Sequence, residues 1–255
     1  MLTVVRRNLL RPSGLAYPAG TKPGFDPSHI ASAGVSLGHG FSGVAQNANF
    51  LSLLSGSVGS ITNAPTASMY GTIGPAFTTP GSGQSHSTTF AGQSTAIDFT
   101  GTIAVIFQIT SLNAATSCLF LSSSNVGTSN GMWLLYNSTA NLAFNGPGSG
   151  GANSAITISA GVPYFVAGSR SGNAGTTNVL AMRLDNGVIL TDTPASGTLP
   201  SNAPNGSYMV GNGGVNRSLN GGVAAVMFSK SFMSMQQLQQ WAKNPWKFWY
   251  PGVSD

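Results

Sequence analysis

The sequence predicts an all-β sandwich closed by one short helix, and three observations predict it. Most of the chain is written in short apolar runs parted by clusters of Gly, Ser, Asn and Asp, the pattern of many short strands rather than of alternating strands and helices. Apolar residues make up 41% of the 255 and charged residues only 6%, which supplies a core and leaves far less charge than the usual quarter or so. The last stretch reads as a strand, a capped helix and an aromatic tail. Disorder is excluded by the many β-branched and aromatic clusters, since disordered chains combine low hydrophobicity with high net charge.

The elements follow in chain order. Residues 1–35 read as an extended arm, because Pro12, Pro18, Pro23 and Pro27 alternate with Gly14, Gly20 and Gly24, denying both helix and central strand. Arg6, Arg7, Arg11 and Lys22 place four of the ten basic residues in this arm, in a chain of net charge +5. Such an arm grips an acidic protein surface or lies solvated. Its apolar residues, among them Leu9, Leu10, Leu15, Tyr17 and Phe25, favour a course along its own domain or along a neighbouring subunit. The other basic residues are too sparse to track phosphates, so nucleic acid is not expected as a partner.

From residue 36 to 243 the sandwich proper is expected. Runs 50–54, 88–90 and 96–99 are candidate strands, and 102–110 is the best central one. It sets Ile103, Val105, Phe107 and Ile109 on one face and Ala104 and Ile106 on the other, an alternation of period two. Runs 118–121, 132–136, 142–144, 156–158 and 162–167 follow. Val179 to Leu184 places Leu180, Met182 and Leu184 together with Arg183 opposite, and Asp185-Asn186-Gly187 turns the chain into Val188-Ile189-Leu190. Run 208–210 precedes the closing strand, in which Val223, Ala225 and Met227 share one face and Ala224, Val226 and Phe228 the other. Stretches 145–154, 171–177 and 196–207, rich in Gly, Ser and Asn, read as loops; loops of a sandwich gather at its ends, where binding concentrates. Ser234 with Gln237 forms a capping box, Met233 and Leu238 a hydrophobic staple, and Leu238, Trp241 and Ala242 one helical stripe. Asn244-Pro245 stops the helix. Residues 244–255 are an aromatic tail.

This ending, Gly222 to Phe228, Ser234 to Lys243 and Asn244-Pro245-Trp246, resembles the concanavalin A-like and laminin-G-like jelly rolls of tailed-bacteriophage virion proteins. Val162-Pro163-Tyr164-Phe165-Val166, the Leu184-Asp185-Asn186-Gly187 hairpin, Leu10 to Pro18 and Gly24 to His29 add to the resemblance. It implies a jelly-roll β-sandwich, and a non-enzymatic virion structural protein that decorates and stabilises a capsid. The alternative is a carbohydrate-binding tail or surface adhesin that uses the rim loops of a lectin-like sandwich.

Catalytic residues are not expected. Glycoside hydrolysis mostly needs two carboxylates across the bond, and the chain has no glutamate. Its five acids are Asp26, Asp98, Asp185, Asp192 and Asp255, and Asp185 and Asp192 flank a hairpin. His29, His39 and His86 have no metal-ligand spacing, and no nucleophile elbow is present. A rim calcium ion held by Asp98, Asp185 or Asp192 is conceivable in chemistry, but Asp185 is read first as a turn starter; no metal and no cofactor are expected. The Gly-rich run 146–151 lacks the lysine and helix of a phosphate loop. Three Asn-x-Ser/Thr matches, at Asn137, Asn205 and Asn216, stand without a secretory signal to support them.

Interface candidates are Arg6, Arg7, Arg11, Tyr17 and Phe25 in the arm and Trp246, Phe248, Trp249 and Tyr250 in the tail, since aromatics of this kind anchor interfaces. The competing reading folds the tail back over the sandwich. Trp133 and Tyr208 are the glycan-stacking candidates. Expected partners are other virion proteins, capsid or tail, further copies of the chain and a host surface glycan. No run is long and apolar enough to span a bilayer. Arg6-Arg7 cuts the apolar start, so synthesis in a host cytoplasm without a leader, and residence in a virion, are the expectations. The single Cys118 sits in an apolar run as a free thiol.

Overall fold

The computed structural model describes residues 28–30, 35–40, 60–62, 66–70, 73–80, 87–91, 100–112, 117–121, 133–136, 140–145, 152–172, 174–197, 207–210 and 219–249. The strands in chain order are β1 (Val35–Gly40), β2 (Ser60–Thr62), β3 (Thr66–Tyr70), β4 (Gly74–Pro80), β5 (Ser87–Ala91), β6 (Thr100–Ile109), β7 (Ser117–Leu121), β8 (Trp133–Tyr136), β9 (Asn141–Asn145), β10 (Ala152–Thr157), β11 (Pro163–Ser171), β12 (Thr177–Arg183), β13 (Ile189–Asp192), β14 (Ser207–Val210) and β15 (Asn220–Ser229). One helix, α1 (Met235–Ala242), follows.

The strands form two sheets, antiparallel throughout. The larger runs β13-β12-β11-β6-β15-β4-β3, with β1 also paired to β15; the smaller runs β10-β9-β8-β7-β14-β5-β2. This is the jelly-roll β-sandwich that the sequence predicts. Neighbours such as β6 and β15 lie far apart in sequence, so the sheet is knit by long-range pairing. Strand run 88–90 falls in β5 and 208–210 in β14. Runs 50–54 and 96–99 lie outside the described residues. Strands β1 to β4 fall outside the runs the sequence predicts, because their Gly, Pro, Ser and Thr content hides the alternation.

Between the sheets lies one apolar core. Ile103, Val105, Phe107 and Ile109 of β6, Tyr164 and Val166 of β11, and Val226 and Phe228 of β15 meet Leu119, Leu134, Tyr136, Leu142, Phe144 and Ile156 of the smaller sheet. The faces expected for β6 are the ones observed. At Gly168 a Cβ would stand 2.1 Å from Phe144 Cδ2, so only glycine lets that ring rest on the β11 backbone.

The larger sheet is buried on its second face as well. Ala104, Ile106, Phe165, Ala167, Leu180, Met182, Ala225 and Met227 pack under Met233, Leu238, Trp241, Ala242, Trp246, Phe248 and Trp249. The helix is capped as the sequence predicts: Gln237 N–H donates to Ser234 Oγ at 3.3 Å, and Ser234 N–H donates to Gln237 Oε1 at 2.8 Å.

Two expectations are corrected. The strict alternation of β15 fails because a bulge intervenes: Val223 pairs with Phe107 and Ala225 with Ile106, leaving Ala224 over. The extra residue reverses the phase, so Val223, Val226 and Phe228 face the inter-sheet core while Ala225 and Met227 face the helix. The bulge falls where the neighbour on the other side changes from β4, last paired at Val223, to β1, first paired at Ala225. The second correction concerns 145–154, read as a loop: β10 begins at Ala152, and its Ala152, Ser154 and Ile156 are buried in alternation with exposed Asn153, Ala155 and Thr157. Ala and Ser make poor strand signals, and pairing with β9 supplies what local propensity lacks.

Candidate functional site

Three of the four tail aromatics are described, and all three are buried. Trp246, Phe248 and Trp249 are 2%, 0% and 0% exposed. Trp241 lies 5.6 Å from Phe248 and 5.6 Å from Trp249, ring centre to ring centre. Trp249 Nε1–H donates to the Val226 carbonyl at 3.2 Å, and Trp241 Nε1–H to the Pro245 carbonyl at 3.3 Å. These three are therefore not exposed interface anchors. They fold back as a roof over the larger sheet, because leaving three large aromatic surfaces in water costs more than ordering the chain that carries them. His29 joins the roof, edge-on to Trp241 at 5.2 Å and Phe248 at 5.7 Å, and Ile30 packs beside it. The end of the arm thus lies on its own domain. Arg6, Arg7, Arg11, Tyr17, Phe25 and Tyr250 lie outside the described residues.

Of the glycan candidates only the strand positions are described. Trp133 opens β8 and pairs with Leu121 and Asn145; Tyr208 in β14 pairs with Phe90. Leu121 also pairs with Met209, so Trp133 and the residue next to Tyr208 share one cross-strand row of the smaller sheet. For Cys118 likewise the position alone is described, opposite Leu135.

The candidate acids are occupied or apart. The Arg183 guanidinium donates from Nη2 to Asp185 Oδ2 at 2.6 Å and from Nε to Oδ1 at 3.0 Å. That hydrogen bond from Arg183 holds the Asp185 carboxyl below its ordinary range. The turn itself is pinned by its neighbour, since Val188 N–H donates to Asn186 Oδ1 at 3.0 Å. Asp192 sits at the far end of the same hairpin, opposite Val179, and its Oδ2 accepts Ala155 N–H at 2.7 Å. That bond ties edge strand β13 to edge strand β10, one from each sheet. Asp98 lies outside the described residues, and among those described no cluster of three metal-ligating side chains occurs.

Polar groups gather instead at one end of the sandwich. Of the buried polar residues, Thr102, Ser169, Arg170, Thr177, Asn178 and Ser229 all lie where β6 and β12 begin and β11 and β15 end. Arg170 organises the rim. It is 1% exposed, its Nε–H donates to the Gly172 carbonyl at 2.9 Å, and its Nη2 donates to the Gly197 carbonyl. Burial lowers the pKa of this guanidinium by desolvation, and charge-assisted bonds to carbonyls offset that cost. One side chain thereby ties the β11–β12 turn to the segment after β13. Thr177 Oγ1 and Ser196 Oγ share a hydrogen bond across the same gap.

Behind the rim a second network fixes the helix. Thr102 Oγ1 lies 3.0 Å from Ser169 Oγ and 2.7 Å from the Ser231 carbonyl, and Met233 N–H donates to Ser169 Oγ at 2.8 Å. Each hydroxyl has one proton, so Ser169 donates to Thr102 and Thr102 to Ser231. Asn178 Nδ2 donates to the Met233 carbonyl at 3.2 Å. Sequence reasoning missed Arg170, since the strand was read as stopping at Ala167. The available signal was a lone arginine in Ser169-Arg170-Ser171-Gly172, with the charge-poor chain around it.

No protein-family model matches the sequence, and no curated protein matches it. Solved structures match in fold. Domain 4 of AbnA, a GH43 extracellular arabinanase from Geobacillus stearothermophilus solved in complex with arabinotriose, superimposes with a TM-score of 0.56 at 16% identity, over 82% of this chain and 98% of that one. Trypanosoma rangeli sialidase in complex with 2,3-difluorosialic acid gives 0.55 at 11% identity, over 88% of this chain and 36% of the sialidase; its complex with sialic acid gives 0.54 at 12%, over 82% and 32%. The chain thus spans about a third of the sialidases it matches. At such identities the likeness is one of fold. None of these neighbours links the chain to bacteriophage particles.

Proposed function

We propose that the chain is a non-catalytic, lectin-like module that binds a glycan at the Arg170 end of its sandwich. The observation that carries this reading is the rim: a buried arginine ties the β11–β12 turn to the segment after β13, and hydroxyl-bearing side chains surround it. A binding end needs loops fixed in advance, because ordering them on binding weakens affinity. Two further facts support it. A domain of matching extent in the arabinanase was solved in complex with arabinotriose. The described acids hold Arg183 and Ala155 N–H rather than facing one another, which suits binding better than hydrolysis. A virion structural role has no support from the comparisons, and three of the tail residues that were to carry it are buried.

The test is a printed glycan array probed with the labelled full chain, with heat-denatured chain as control. Saturable binding to at least one glycan, without release of reducing sugar, is the expected result. A flat array ends the reading.

A further inference from the structure

We infer that the ligand of this rim is an uncharged glycan; the inference rests on the glycan-binding reading above. An anionic sugar, sialylated, uronic or sulphated, is recognised by an accessible cation, best by an arginine fork. The rim has an arginine, but Arg170 is 1% exposed and turned inward onto the carbonyls of Gly172 and Gly197. It positions the β11–β12 turn and the segment after β13, and its fork is not presented to a bound anion. The nearest described acid, Asp192, has its Oδ2 committed to Ala155 N–H, in a bond that ties β13 to β10.

Among the described residues, what stays accessible beside Arg170 is neutral. Ser171 and Thr176 in the β11–β12 turn and Thr191 and Thr193 at the end of β13 are exposed. A hydroxyl both donates and accepts, which matches sugar hydroxyls and supplies no counter-charge to an anion. The strands of the smaller sheet, β2, β5, β7, β8, β9, β10 and β14, contain no charged residue. Among the described residues, the exposed cation at this end is Lys230, after β15. In the sheet order β15 stands three strands from β12, about 14 Å at the usual strand spacing, on the far side of β6 and β11.

The experiment titrates the full chain calorimetrically with two neutral trisaccharides, arabinotriose and cellotriose, and two anionic sugars, 3′-sialyllactose and trigalacturonic acid. Each is run at low salt and at about 0.5 M salt, where exposed charge pairs are screened. Ser171→Tyr and Thr176→Tyr, both on exposed positions, serve to block the rim. The expected result is binding of a neutral sugar alone, with affinity changed less than about twofold by salt and at least about tenfold weaker in the tyrosine variants, a loss near 1.4 kcal/mol. Preference for an anionic sugar, weakened by salt, overturns the inference while the glycan reading stands. Neutral binding unmoved by both variants overturns the assignment to this rim. Failure to bind any sugar, here and on the array, removes the reading with the inference.

Discussion

At the scale of single residues, two positions show how the neighbourhood sets the cost of a change. Gly168 faces the Phe144 ring, and an added Cβ at 2.1 Å forces a core ring or the β11 backbone to move. Gly168→Ala should therefore destabilise by about 3 kcal/mol, read as a lowered urea midpoint with unchanged slope. Asp185 is the opposite case. Its carboxyl is held down by Arg183, but both side chains are more than a third exposed, so the pair is worth under about 1 kcal/mol. A lowered carboxyl pKa contributes stability above its ordinary value and loses it as pH falls through the lowered one. Asp185→Asn should then cost little at pH 7 and nothing at about pH 2, checked by paired melts at the two pH values. Neither the glycine's role nor the weakness of the ion pair is visible in sequence, because both depend on what lies across the fold.

At the scale of elements, β6 and α1 were legible and β15 was half legible. In β6 the alternation is unbroken and each face meets a different apolar layer. In α1 the cap, staple and stripe are local chemistry, so sequence alone places them. In β15 the apolar pattern is just as clear, yet the bulge at Ala224 reverses the outer part. A bulge answers to the partner strands, which the local sequence does not contain. Deleting Ala224 should keep every other β15 residue on its present face and give a folded protein. Deleting Val226 should swap Met227 and Phe228 between the two layers and give an insoluble one. Partition between soluble and pelleted fractions, with circular dichroism of the soluble part, separates the two; equal solubility would sink the bulge account.

At the scale of the whole molecule, the larger sheet is the middle of three layers: the smaller sheet on one side, helix and tail on the other. Removing residues 244–255 strips Trp246, Phe248 and Trp249 from Trp241 and Phe165. The truncated chain should bind a hydrophobic dye strongly and aggregate, and a truncated chain that stays monomeric and dye-silent would contradict the roof. Sequence by itself determined the fold class, the capped helix, the hairpin at Asp185-Asn186-Gly187 and the want of glutamate, since each is written in local period, local hydrogen bonding or composition. Tertiary structure alone decided the rest. Whether the tail aromatics face a partner or a sheet, whether Arg170 is a ligand contact or a sealed strut, and which way β15 presents its residues all turn on groups distant in the chain. Burial, not residue type, fixes what a tryptophan or an arginine can touch.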